Sequence, residues 1–402
     1  MTVAEDIAGS TITWTEGGVE LSAGWRSENR SAAPTQVKVI GDDITADAAF
    51  RLARSGIGLL WRGDYHNGRQ LMQALDRRFT RNHAGRAGSG RGRGAARGGR
   101  RTGRGSVRAD AAETFSAERA FNAERSRLLG LLLVELGEGY ALELRRAPEV
   151  RPACEAAYGV SDGPMCMSLT ELGGVLSAHQ WQLRGVAIDA LGERIHPRYG
   201  VFSPIRGEYV DLVATTPFGS APPATAFDLG TGTGVLAAVL LHRGIGTVVA
   251  TDINPRAVAC AQENLERLGF AGSASVVEAD LFPPGRADLI VCNPPWLPAD
   301  PTSALELGIY DPGSLVLRRF IDGLSDHLTD SGEGWLILSD LAEHLSLRTR
   351  QEFEECIRAA GLQVCDRYDT APRHRRVSDA DDALHQARSA ETTSLWRLRR
   401  NA

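Results

Sequence analysis

From Ala224 onward the chain alternates short apolar runs with amphipathic stretches, a rhythm that admits few architectures. AFDLG, TVVATD, ASVVEAD, DLIVCNPP and GWLILSD each end in acidic, glycine or proline residues, while RAVACAQENLERLG and GSLVLRRFIDGLSDHL between them carry apolar residues at helical spacing. Strand, helix and strand in this order predict a parallel sheet with helices on both faces. Such sheets bind ligands beyond the carboxyl ends of their strands. Further along, LRTRQEFEECIRAAG predicts a helix, and LQVCDRYDT with SLWRLRR predicts an antiparallel closing hairpin.

The 402 residues exceed what one core usually organises, so a second part is expected before this sheet. Apolar residues recur at helical spacing from Asp47 to Phe79, and Asp110 to about Leu136 predicts another helix. YALELRR, from Tyr140 to Arg146, alternates like a short strand. Pro148 to Tyr158 and Ser168 to Trp181 look helical, and Gln182 to Pro204 suggests a hairpin. The partition is a helical part over 1–81, an insertion over 82–109, an accessory helical region and hairpin over 110–198, and the sheet domain over 199–402.

The insertion NHAGRAGSGRGRGAARGGRRTGRGSVR, Asn82 to Arg108, holds basic, small and polar residues with no acid and a single large apolar residue, Val107. It offers too little apolar surface to offset its ordering entropy, so disorder is expected. Arg-Gly tracts of this kind can engage RNA phosphates and bases. A tolerated linker has the same composition. Elsewhere the net charge of −5 says little about partners, and Lys38 is the single lysine among 45 basic residues, a bias that base composition of the gene also produces.

Six scattered cysteines with no CxxC pair predict reduced thiols in a cytoplasm and no structural metal. MTVAEDIAGSTITWTEGG lacks the basic start and apolar core of a signal peptide. No apolar run approaches a membrane span.

The first strand delivers Asp228, Gly230, Thr231, Gly232 and Gly234 immediately before a helix. Glycines at this spacing permit a tight turn whose N–H groups face an incoming ligand. A dinucleotide fingerprint needs GxGxxG, and this turn is GxGxG. The second strand ends at Asp252 and Ile253, where a carboxylate can accept two ribose hydroxyls. The third ends at Asp280 and Leu281, and the fourth at Asn293, Pro294, Pro295 and Trp296. Each acid alone reads equally well as a turn or cap residue.

Together these motifs resemble the class I S-adenosylmethionine-dependent methyltransferases, and the fourth resembles the (D/N)PP(F/Y/W) motif of their amino-methyltransferase members. The resemblance covers about residues 200 to 400. It implies a doubly wound seven-stranded α/β sheet, mostly parallel, behind an N-terminal, mainly helical accessory domain. It implies S-adenosyl-L-methionine as cofactor, the glycine turn holding its methionine part, Asp252 its ribose, and Asp280 and Leu281 its adenine. Asn293 and the Pro294 carbonyl would then accept N–H bonds from a planar amine, with Trp296 as a stacking face. A nucleic-acid base, RNA first, is the expected acceptor; a protein glutamine is the alternative, since Tyr199 to Val213 resembles the lead-in of protein-glutamine methyltransferases. A non-catalytic RNA-binding module is the third possibility. Arg206 and Glu208 are candidates for contact with cofactor or substrate, whereas His327 and His344 sit on helical patterns as packing residues.

Overall fold

A computed structural model describes residues 10–91, 104–219, 221–301, 305–373, 379–380 and 382–401. The chain divides into two compact units, one of Met1–Thr102 and Ala117–His179, the other of Gly103–Ser116 and Gln180–Ala402.

The first unit contains β1 (Thr11–Glu16), β2 (Val19–Trp25), β3 (Val37–Ile40), α1 (Ala46–Arg54), β4 (Gly58–Trp61) and α2 (Tyr65–Arg91). After residues 92–103 come α3 (Arg104–Leu129), which belongs to this unit from Ala117 on, β5 (Leu132–Leu136), α4 (Arg151–Tyr158), β6 (Met165–Ser168) and α5 (Leu169–Arg184), which belongs to it as far as His179. The strands form one six-stranded sheet in the order β1-β2-β6-β5-β4-β3. The accessory part expected as mainly helical is therefore organised by a sheet. β4 lies inside the stretch read as helix, β5 ends another such stretch, and Tyr140 to Arg146 is not a strand. The reason is burial: all four residues of β4 and four of the five in β5 are buried, so their apolar runs are continuous and lack the alternation of a half-exposed strand. β1 and β2 turn through Gly17 and Gly18, with φ of 61° and 83°, a pair suited to a two-residue hairpin.

α2 and α3 reach into both ends of the tract expected to be disordered, which corrects that expectation for residues 82–91 and 104–108. Leu71, Leu75 and Phe79 bury one face of α2, and extending a nucleated helix costs less than starting one. The middle of the tract, 92–103, lies outside the described residues.

The second unit opens with the hairpin β7 (Val186–Ile188) and β8 (Glu193–Ile195), then α6 (Glu208–Thr215). There follow β9 (Thr225–Leu229), α7 (Val235–His242), β10 (Thr247–Asp252), α8 (Pro255–Arg267), β11 (Ala274–Glu278), β12 (Ala287–Cys292), α9 (Leu315–His327) and β13 (Leu328–Ser339). α10 (Leu341–His344), α11 (Arg350–Ala359), β14 (Leu362–Thr370), α12 (His385–Ser389) and β15 (Thr393–Arg400) complete it. The seven-stranded sheet runs β11-β10-β9-β12-β13-β15-β14, with β15 antiparallel to both neighbours and the remaining pairs parallel. This is the doubly wound sheet the sequence predicts. The hairpin belongs to this unit rather than to the accessory part, because Ile188, Leu191 and Ile195 join the core around α7.

Alternation along the strands fills both faces of the sheet. Ala226, Leu289 and Val291 pack toward α7, while Phe227, Ile290 and Cys292 pack toward Phe320, Ile321 and Leu324 of α9. The chain direction across the sheet reverses between β9 and β12, the position at which a ligand crevice opens in this architecture.

Candidate active site

The crevice at that switch point is lined by the β9–α7 loop, the ends of β10 and β12, and Gly200 to Phe202 from the segment before α6. Gly230, Gly232 and Gly234 have φ of 70°, 56° and 79°, so the loop bends in a region that side chains with a Cβ avoid. A Cβ on Gly234 would also meet the Ala261 backbone at 3.1 Å, which fixes that glycine as the contact between loop and α8.

Asp228 supports this loop from below. Its Oδ2 accepts from Thr231 Oγ1 at 2.6 Å and from Ala237 N, in the first turn of α7, at 3.0 Å. Burial pushes its carboxyl up to about 6 against those hydrogen bonds. Neither Asp228 nor Gly234 lines the crevice, whereas Gly230, Thr231 and Gly232 do. Thr231 has its hydroxyl committed to Asp228 and its N–H to Thr251 O at 2.8 Å.

Asp252 is where the sequence places it, at the crevice edge. Its Oδ2 accepts from Gly232 N at 2.9 Å and its Oδ1 from Asn254 N at 2.9 Å. Each oxygen keeps a second lone pair, enough for two vicinal hydroxyls. Burial holds this carboxyl above its ordinary value despite the backbone donors. Ile253, 54% exposed, gives the crevice an open apolar wall. Asp280 is exposed and paired with Arg319 at 2.9 Å, an ion pair that exchanges readily for another partner. Leu281 has a φ of 74°, unusual for leucine, and Thr251 Oγ1 pins its carbonyl at 2.5 Å.

Asn293, Pro294 and Pro295 line the crevice opposite the glycine loop, with Cys292 behind them, its thiol pushed up by burial. Trp296 does not line it. Its Nε1 donates to Asn293 Oδ1 at 2.8 Å, and Arg206 covers one face of its ring. The free stacking platform expected of Trp296 is thus partly occupied from within. Arg206 and Glu208 pair with each other and stand outside the crevice.

Gly200 to Phe202 and Tyr209 line the crevice, within the Tyr199–Val213 segment whose resemblance implies a place beside the cofactor, whereas the motifs did not reveal Asn254 as a lining residue, nor Ser339 and Glu391 near Arg206. Asn254-Pro255 after β10 is a readable helix start; Glu391 gives no local signal. Among the described residues no group of three His, Cys, Asp or Glu side chains is placed to hold a metal, and no helix is long and apolar enough to cross a membrane.

Residues 194–361 match the family described as Methyltransferase small domain. Over 108 residues the chain is 44% identical to the release factor glutamine methyltransferase of Cereibacter sphaeroides, covering 26% of this chain and 38% of that one. Over 105 residues it is 49% identical to the ribosomal protein L11 methyltransferase of Pelotomaculum thermopropionicum, covering 25% and 33%. The tRNA1(Val) (adenine(37)-N6)-methyltransferase of Cytophaga hutchinsonii is 30% identical over 136 residues, covering 30% and 56%. The chain spans 38% and 33% of the length of the first two. A sheet that reverses direction beside a glycine loop, with an Asn-Pro-Pro turn facing it, accounts for those likenesses: residues 194–361 of this chain are a methyltransferase domain, similar to those of the class I S-adenosylmethionine-dependent amino-methyltransferases.

Proposed function

We propose that the protein is an N-methyltransferase acting on a planar exocyclic amine, with an RNA base as acceptor. The observation that carries the chemistry is the Asn293 carbonyl, held at the crevice wall by the Trp296 indole. S-adenosyl-L-methionine supplies an electrophilic methyl on a sulfonium. The crevice fits such a molecule, with the glycine loop along one side, Asp252 for a ribose and apolar walls at Ile253 and Leu281.

The protein's own work is orientation. An amine conjugated to a ring or carbonyl has a delocalised lone pair and attacks poorly. Asn293 Oδ1 and the Pro294 carbonyl, accepting one N–H each, turn the nitrogen so that its lone pair points at the methyl. The surplus proton leaves once the nitrogen is cationic, so no strong base is required.

The RNA assignment rests on the eight arginines and absent acids between residues 82 and 108. A second acceptor, a protein glutamine, is favoured by the 44% identity to a release factor glutamine methyltransferase. Incubating the protein and labelled cofactor with RNA, DNA and protein fractions from a strain lacking the gene separates them. Label in RNA, with transfer falling steeply as salt rises, supports the first acceptor. Label confined to protein, at glutamine, replaces it with the second.

A further inference from the structure

The proposed chemistry needs the Asn293 carbonyl at a fixed angle, and side chains outside the crevice hold it there. The indole N–H of Trp296 is only a donor, so the Asn293 atom facing it at 2.8 Å is the oxygen. One lone pair is thereby occupied and one remains for the acceptor amine. Behind the indole, the Arg206 guanidinium carbon lies 4.8 Å from the ring centroid.

Arg206 is itself immobilised. Its Nε donates to Glu208 Oε1 at 2.7 Å and its Nη2 to Glu391 Oε1 at 2.9 Å, and both glutamate side chains are 0% exposed. Ser339 Oγ donates to the same Glu391 oxygen at 2.7 Å and accepts from Leu341 N at 3.0 Å. Glu208 opens α6, Ser339 ends β13 and Glu391 stands just before β15, so three distant stretches of chain converge on one guanidinium. Two buried carboxylates around a single cation make a poor stability device, because desolvation offsets most of the attraction. What such a cluster does well is fix geometry.

We infer that Arg206 is a positioning residue for methyl transfer: clamped by Glu208 and Glu391, it holds the Trp296 indole, which holds the Asn293 carbonyl toward the acceptor nitrogen. The inference rests on the amine chemistry proposed above. It also explains why a tryptophan at this position differs from phenylalanine, which has no N–H to give.

The test uses the full chain labelled with 15N-tryptophan, whose seven tryptophans give seven indole signals. Trp296→Phe identifies the Trp296 signal and Asn293→Ala shows where it moves when its acceptor is lost. Arg206→Lys keeps a cation between the two carboxylates but loses the planar stack and the two-way fork. The expected result is a Trp296 signal shifted toward its Asn293→Ala position, with faster solvent exchange and calorimetric affinity for S-adenosylmethionine unchanged. With the methyl-accepting cell fraction as substrate, kcat falls about tenfold, while KM for the cofactor holds. If Arg206→Lys does not fold, Ser339→Ala, which removes only the hydroxyl supporting Glu391, must move the same signal. An unmoved signal in a folded, cofactor-binding variant overturns the inference alone. A wild-type chain that binds no cofactor overturns the reading beneath it.

Discussion

Asn293 offers one oxygen for two donors, and that single atom concentrates the chemistry of the site. Asn293→Ala removes an acceptor that matters most when the nitrogen is turning toward the methyl. Methyl transfer to the cell fraction is expected to fall by about a hundredfold or more, as when a transition-state hydrogen-bond partner is lost. Cofactor affinity, read by calorimetry, should stay within about twofold. Transfer at the wild-type rate would remove Asn293 from the mechanism. Asp228 gives a second residue-level prediction through its carboxyl, raised by burial from 3.8 to about 6. A raised value means that the folded chain binds this proton more tightly than the unfolded chain. The stability it contributes is therefore present below 3.8 and lost as pH climbs to about 6. Across that window the thermal stability of the wild type should fall relative to Asp228→Asn, by on the order of 3 kcal/mol, and then run level. A constant difference from pH 4 to 7 would show that Asp228 titrates as an ordinary carboxylate. The strand-end acids and the Asn293 turn were legible in the sequence because a strand carries its last residue to a known edge. Arg206 was legible only as a suspicion, and Ser339 and Glu391 not at all. Their partners lie far along the chain, and no local pattern encodes a meeting of that kind.

Among the elements, α8 is tied to the site by one buried polar side chain. Asn264 Oδ1 accepts from His196 N at 2.9 Å, and its Nδ2 donates to His196 O at 3.0 Å and Thr233 O at 3.1 Å. The helix is thereby joined to the end of the β7–β8 hairpin and to the glycine loop at once. Asn264→Ala leaves His196 N and Thr233 O without their side-chain partner, so denaturant unfolding should show a loss of about 2 kcal/mol or more. A loss below about 0.5 kcal/mol would mean that water replaces the amide without cost. The same scale shows where pattern reading succeeds and where it fails. β9, β10 and β12 were recognisable as short apolar runs because polar or glycine residues close each of them. β4 and β5 are equally apolar, but they run on from amphipathic helices with little punctuation, and continuous burial erased the alternation that marks a strand. The β1–β2 hairpin carries a local signal as well, Gly17-Gly18 between alternating residues.

At the scale of the whole molecule, ligand binding should select among its parts. S-adenosylmethionine at a hundred times its dissociation constant stabilises the state that binds it by about 2.7 kcal/mol. Hydrogen exchange should slow in β9, β10 and β12, whose carboxyl ends carry the crevice, by up to about a hundredfold. Unchanged exchange there would place the cofactor elsewhere. The domain's sheet also has a property that bears on how the protein is made. β15 runs between β13 and β14, yet it follows both in the chain, and Glu391 stands just ahead of it. A nascent polypeptide that has delivered everything up to β14 still has a gap beside β13, next to the edge of its sheet, and only Glu208 to pair with Arg206. Until that strand is in place, the crevice loops that precede it are already present, while Arg206 lacks one of its two carboxylate partners.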